Sequence, residues 1–216
     1  MIPSTRTSPG RAGVGTAAFL RRVVTQQPSI GAIAPTLPIL ARRLARLVPP
    51  TPGLRVLELG AGTGAISVEV GARLGPGARH VALERDAELL ATLEHRAPWA
   101  ERLVGDAREL VPLLGSVGLG EVDVVLSTLP WSYFEPEVQR DTLAAICSTL
   151  APGGMFATIT CRTAMLNPRS RSFRAALDTS FDEIVTTPTT WANLPPARLL
   201  VCRGPRVVTR RVGVPG

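Results

Sequence analysis

Residues 56 to 64, VLELGAGTG, run a nearly unbroken apolar segment straight into a turn with glycine at every second position, Gly60, Gly62 and Gly64. A segment of this kind reads as a buried strand of a parallel sheet, because a strand covered on both faces loses the alternation of a half-exposed one. Glycine lets the turn bend tightly and lets the backbone approach a ligand where a Cβ would intrude, as nucleotide-binding turns require. The helix predicted to follow, over GAISVEVGARLG, completes a strand, turn and helix unit with a ligand expected at the strand's carboxyl end. The dinucleotide fingerprint GxGxxG is not met, since Ala65 stands where its last glycine belongs.

The rest of the chain keeps an α/β rhythm. RHVALER, AERLVGD, VDVVLSTLP and MFATITC read as strands. Between them DAELLATLEHRAP, ARELVPLLGSVG and PEVQRDTLAAICSTLA read as helices, the last closed by Pro152, Gly153 and Gly154. Regularly spaced βα units imply a parallel sheet covered on both faces. The tail breaks the rhythm: after a helix over SFRAALDTSF, the segments FDEIVTTPTTW and ARLLVCRG are two strands joined by ANLPP, which predicts an antiparallel hairpin at the sheet edge. Ahead of the first strand, residues 1–13 read as a disordered arm. Residues 14–25 read as a short amphipathic helix, and Thr36 reads as the cap of a helix over LPILARRLARLV expected to end at Pro49, Pro50 and Pro52. The expected division is an arm at 1–13, a helical lid at 14–48 and one α/β domain at 49–216.

Composition narrows the classes. No apolar run reaches the roughly 18 to 20 residues that span a bilayer, and the start MIPSTRTSPGRAG lacks a signal-peptide core; a soluble, cytoplasmic protein is expected, with a peripheral place at the inner membrane face left open. Three scattered cysteines, Cys147, Cys161 and Cys202, and two isolated histidines, His80 and His95, suggest neither a disulfide framework nor a metal site. Charge is unevenly placed, with eight arginines and no acid in residues 1–57, and five arginines and no acid in 184–216. Basic ends of this kind attract a polyanion or an anionic membrane surface.

Three acids give the glycine turn its specificity. Glu58 lies two residues before Gly60, where a carboxylate can meet a cationic ligand but would repel a pyrophosphate. Glu84 ends the second strand, where it can accept both hydroxyls of a ribose. Asp106, in VGDARE, ends the third strand, where it can receive an adenine amino group while the Ala107 amide serves a ring nitrogen.

This combination, ExGxGxG at 58–64, an acid after the second strand, GDA at 105–107 and LAPGGMF at 150–156, resembles the class I S-adenosylmethionine-dependent methyltransferases. The resemblance implies a Rossmann-like, seven-stranded, mostly parallel sheet with an antiparallel last strand, and an N-terminal helical extension. It also implies an S-adenosylmethionine site built from Glu58, Gly60, Ala61, Gly62, Gly64, Glu84, Arg85, Gly105, Asp106, Ala107, Ser127, Thr128 and Leu129. Amino-group methyltransferases often carry an Asn or Asp at the end of the fourth strand, whereas this chain reads Thr128, Leu129, Pro130, Trp131, which weakens a base-methylating reading.

The flanking segments SIGAIAPT at 29–36, STLPW at 127–131 and WANLPPA at 191–197 are similar to those of the bacterial phospholipid N-methyltransferases. That likeness implies an amine acceptor, with a phosphatidylethanolamine-type head group first and a small-molecule amine or RNA as alternatives; a catalytically silent cofactor-binding module is the alternative of another class. Aromatic faces hold a methylated ammonium, so the expected catalytic residues are Tyr133 and Trp131. The substrate residues are Ile33, Pro35, Trp131, Tyr133, Phe134 and Trp191.

Overall fold

A computed structural model of the chain describes residues 38–193 and 195–206. The expected arm, the 14–25 helix, the Thr36 cap, Ile33 and Pro35 lie outside the described residues. Seven strands, β1 (Arg55–Leu59), β2 (Arg79–Glu84), β3 (Glu101–Val104), β4 (Val122–Ser127), β5 (Leu150–Cys161), β6 (Phe181–Thr186) and β7 (Ala197–Pro205), form one sheet in the order β3-β2-β1-β4-β5-β7-β6. The first five strands are mutually parallel where they pair, and β7 runs antiparallel to both β5 and β6. The tail hairpin therefore closes the sheet edge as expected, with its second strand inserted next to β5.

The helices are α1 (Pro38–Ala45), α2 (Ala65–Gly71), α3 (Ala87–Ala91), α4 (Leu93–Arg96), α5 (Leu110–Ser116), α6 (Pro136–Thr149) and α7 (Pro168–Ser180). Their ends follow capping chemistry. The Asp86 carboxylate accepts from the amides of Glu88 and Leu89 at the start of α3, and Asn167 accepts from Arg169 N at the start of α7. Prolines sit in the first turns of α6 and α7, where a missing N–H costs nothing.

Two expected helices are divided. DAELLATLEHRAP breaks at Thr92, whose hydroxyl donates to Leu89 O at 2.6 Å and competes with the helical ladder. ARELVPLLGSVG opens as a 3-10 turn over Ala107–Glu109, because the Asp106 side chain takes the Arg108 amide. The fifth strand starts at Leu150, earlier than MFATITC suggested, with a register shift against β4 between Val122 and Val124.

Alternate residues of the central strands feed two cores. Leu57, Leu59, Val125 and Phe156 face one side with residues of α5, α6 and α7, and Val56, Val124, Leu126, Met155 and Ala157 face the other with α1 and α2. Leu40, Ala41, Leu44 and Ala45 of α1 are buried in that second core. At the amino ends of the strands, forked ion pairs staple neighbours together. Arg55 binds Asp123 through Nε and Nη2, and Arg79 binds Glu101 in the same way. The opposite edge, at the carboxyl ends, carries the loops that build the site.

Phe156 ties the first core to the hairpin by stacking on Phe181 at 5.7 Å and meeting Trp131 edge-on at 6.1 Å. Phe156→Ala is expected to lower unfolding free energy by about 3–5 kcal/mol, read by urea denaturation; a loss well under 1 kcal/mol would contradict this packing.

Candidate active site at the carboxyl edge of the sheet

The strand order reverses between β1 and β4, and such a switch point opens a crevice at the strands' carboxyl ends. The glycine turn fills the base of that crevice. Gly60 N and Ala61 N both donate to Leu83 O, at 2.9 and 3.2 Å, which fastens the turn to β2. On the other side, the Thr128 hydroxyl donates to Gly60 O at 2.6 Å and Thr128 N donates to Leu59 O at 3.0 Å. Gly60 has φ +77°, and a Cβ there would press on Thr128 Oγ1 at 3.1 Å and Leu129 Cδ2 at 3.2 Å. Gly62, with φ +52°, donates its N–H to Glu84 Oε2 at 3.0 Å. Gly64 closes the turn as the residue preceding α2.

Glu84 gathers the site. Its Oε1 also accepts from Arg85 N at 2.8 Å and Asp86 N at 3.2 Å, so a carboxylate with about four lone-pair positions keeps one open on the oxygen beside the glycine turn. Gly105 N donates to Glu84 O, which sets the end of β3 next to the end of β2. At that end Asp106 accepts from Arg108 N, Nε and Nη2, and Arg85 Nη1 lies 3.7 Å from its Oδ2. Burial pushes the Asp106 carboxyl up, but the hydrogen bonds of Arg108 and the charges of Arg108 and Arg85 outweigh it and hold it below the usual carboxylate range. Asp106 is thus ionised at neutral pH, with acceptor capacity left on Oδ2.

Two expected cofactor contacts are placed differently. Glu58 is 1% exposed, and its Oε2 accepts from the Ser67 hydroxyl at 2.7 Å and faces His80 Nε2 at 3.1 Å. The carboxylate sits beneath the turn and ties β1 to α2 and β2, so it supports the loop rather than facing open space. Ser127 is fully buried, and its hydroxyl oxygen accepts from Leu129 N and Trp131 Nε1, both at 3.2 Å. It orders the segment after β4 from inside. Neither partner carries a sequence signal of its own: Ser67 reaches Glu58 from α2, and His80 is brought alongside by the pairing of β1 with β2.

These features fit S-adenosylmethionine. A left-handed turn whose first glycine would be crowded by a Cβ, an acid with an open lone pair at the second strand end and an ionised acid at the third supply the acceptors for ribose hydroxyls and an adenine amino group on a cationic ligand. Gly60, Gly62, Glu84, Asp106 and Ala107 would hold it, with Arg85 and Leu129 flanking them. When bound, S-adenosylmethionine supplies an electrophilic methyl group on a sulfonium. The chain's part is to orient the acceptor and exclude water, since alignment carries most of the catalysis in such a displacement.

The acceptor side lies where β4 ends. Trp131 is 4% exposed, stacks on Phe173 at 4.3 Å, and meets Phe134 and Phe156 edge-on. Its Nε1 donates to Ser127 Oγ and Thr158 Oγ1. This corrects its expected catalytic and substrate-binding roles: no ring face is offered to an ammonium, because the indole belongs to the core. Phe134, buried at its side, is corrected in the same way. The Gln139 amide holds the segment from below by donating to the carbonyls of Trp131, Phe134 and Arg169.

Tyr133 is only partly buried. Burial, reinforced by the neighbouring Cys161, holds its hydroxyl above the usual phenol range, so at neutral pH it is a donor and not a base. Trp191 is 69% exposed, with the Arg162 guanidinium 5.1 Å from its ring centre. Both stand at the carboxyl end of β5, since Arg162 follows Cys161 and donates its N–H to Pro196 O. Of the expected substrate aromatics, Tyr133 and Trp191 are the two that are not buried in the core.

Glu84→Ala removes the acceptor that joins Gly62 to β2. One charged hydrogen bond contributes roughly 1.5–3 kcal/mol, so the dissociation constant for S-adenosylmethionine should rise roughly 10- to 150-fold by titration calorimetry. Affinity within twofold of wild type would overturn the assignment.

Comparison with known proteins agrees with this geometry. The family model described as a methyltransferase domain matches residues 56–154, from β1 into β5. The ornithine lipid N-methyltransferase of Singulisphaera acidiphila is 36% identical over 193 residues, covering 86% of this chain and 94% of that protein. Among solved structures, TrmN from Thermus thermophilus superposes with a TM-score of 0.59 at 26% identity over 77% of this chain, which spans about half of it, 48%. A SAM-dependent O-methyltransferase from Thermotoga maritima shares the fold, with a TM-score of 0.58 at 16% identity, over 89% of this chain and 72% of that one. The chain belongs to the S-adenosylmethionine-dependent N-methyltransferases of the class I fold.

Proposed function

We propose that this enzyme methylates the primary amine of a lipid head group at a membrane surface. The observation that carries the reading is the exposed Trp191 and Arg162 pair at the rim of the carboxyl edge. An exposed indole beneath a guanidinium suits the boundary between head groups and acyl chains. Ile39, 42% exposed in the first turn of α1, lies one helical turn before Arg43, whose guanidinium donates to the Thr190 hydroxyl beside Trp191. An apolar residue thus joins the same rim. No helix among the described residues is long and apolar enough to cross a membrane, and the rim suits contact with one leaflet.

The near full-length likeness to an ornithine lipid N-methyltransferase supports an aminolipid acceptor. Ornithine lipid and phosphatidylethanolamine are the two head groups to compare, since each presents an amine. The arginine excess, +7 net, favours an anionic surface.

With labelled S-adenosylmethionine, methyl transfer to phosphatidylglycerol vesicles carrying ornithine lipid or phosphatidylethanolamine is expected, falling as salt rises through the screening range. Trp191→Ala should weaken vesicle binding about tenfold, the equivalent of ~1.4 kcal/mol, and leave S-adenosylmethionine affinity unchanged. Label appearing in RNA and in neither lipid would overturn the reading, as would cofactor binding without transfer to any acceptor.

A further inference from the structure

The loop between β6 and β7 carries a buried amide whose oxygen has no partner. Thr190 bridges Ala197, donating its N–H to Ala197 O at 2.7 Å, and Asn193 N donates to Thr190 O at 3.3 Å. Arg43 fixes the Thr190 hydroxyl from α1. Within this tied-down loop Asn193 is 6% exposed, and its Nδ2 donates to Pro195 O at 2.6 Å. That bond identifies which end of the amide is nitrogen, since two carbonyl oxygens would repel. Oδ1 then has no hydrogen-bond donor among the described residues. An acceptor buried without a donor costs about 1–3 kcal/mol, and folded proteins keep few of them.

Its position is informative. Ser127, the last residue of β4, pairs with Thr158, and three residues further along β5 Cys161 pairs with Ala197. At about 3.3 Å per residue, the start of β7 and the loop residues before it lie roughly 10 Å beyond the end of β4 along the strand direction, at the carboxyl edge of the sheet. Around the end of β4 the side-chain nitrogens of Gln139 and Asn167 are committed to the carbonyls of Trp131, Phe134 and Ser132, and the Thr128 hydroxyl is committed to Gly60 O. Two side-chain amide oxygens among the described residues are buried without a donor: Gln139 Oε1, fully enclosed beside the buried Trp131, and Asn193 Oδ1, on the β6–β7 loop, whose residue keeps 6% exposure.

We propose that Asn193 Oδ1 holds the acceptor amine. This rests on the reading of the acceptor as an amine. The oxygen accepts an N–H from the neutral amine and turns the nitrogen lone pair toward the methyl carbon. The lone pair forms the carbon–nitrogen bond as the carbon–sulfur bond breaks, with its electron pair left on sulfur. The ammonium product then releases its surplus proton to water. The arrangement has a consequence for repeated transfer. A neutral primary amine has two N–H bonds, a methylamine one and a dimethylamine none, so Asn193 assists the first and second transfers and has nothing to hold in the third.

The test compares Asn193→Leu and Asn193→Asp with wild type on phosphatidylglycerol vesicles carrying phosphatidylethanolamine, its monomethyl form or its dimethyl form, or the corresponding ornithine-lipid series. Asn193→Leu should lose roughly 10- to 100-fold in kcat on the first two acceptors and less than about threefold on the third. S-adenosylmethionine affinity should not change, and Asn193→Asp, which keeps an acceptor oxygen, should recover part of the loss. Rates are normalised to the S-adenosylmethionine-binding fraction, so a poorly folded variant does not imitate the effect. Equal losses on all three acceptors, or none, would overturn the proposal. If wild type methylates no lipid of either series, the lipid reading fails separately, and the amide is tested in ¹⁵N-labelled protein. The Asn193 side-chain signals should then shift with ethanolamine, which has N–H donors, and not with choline, which has none; identical responses overturn the assignment.

Discussion

The glycine turn holds its shape because two side chains from neighbouring strands grip it. Thr128, just past β4, donates to the carbonyl of Gly60, and Glu84, ending β2, accepts the amide of Gly62. The turn's positive φ angles are strained for any side chain but not for glycine, and these bonds choose one conformation from the many open to it. Beneath them the Ser67, Glu58 and His80 contacts join α2, β1 and β2 under the turn. Because β1, β2 and β4 all contribute, the turn is fixed only when the strand order is correct. Cofactor binding is thus a property of the assembled sheet rather than of the local motif.

The acceptor side follows a different logic. Trp131 is set in the core by stacking on Phe173 and by hydrogen bonds to Ser127 and Thr158, so it links β4, β5 and α7. That rigidity holds Tyr133 at the mouth as a protonated donor. Opposite it, the β6–β7 loop is pinned by Thr190, Arg43 and the Arg162 amide, and presents Trp191 outward and Asn193 inward. One loop thereby carries both the group suited to a lipid surface and the acceptor suited to an amine.

The fold was legible because apolar strands, glycine turns and capping residues are local features. The ends of β1, β2 and β3 placed Gly60, Glu84 and Asp106 together for the same reason. What escaped the sequence depends on side-chain direction. Glu58 and a ligand-facing acid have the same spacing, and only the pairing of β1 with β2, which brings His80 alongside, determines that the carboxylate points into the fold. Trp131 sits among polar and aromatic residues in STLPWSYF, a context shared by core and pocket tryptophans. Its burial is decided by Phe173, over forty residues away in sequence. Asn193 was visible within WANLPPA but gained meaning only once its oxygen proved to be buried without a donor.

The central claim is that the gripped glycine turn and the β6–β7 loop face each other across one reaction centre. A crystal structure of the full chain with S-adenosylhomocysteine tests it directly. The account predicts ribose hydroxyls on Glu84, adenine at Asp106 and Ala107, and the sulfur facing the mouth between Tyr133 and Asn193. Ribose away from Glu84, or sulfur directed toward the opposite edge of the sheet, would contradict it.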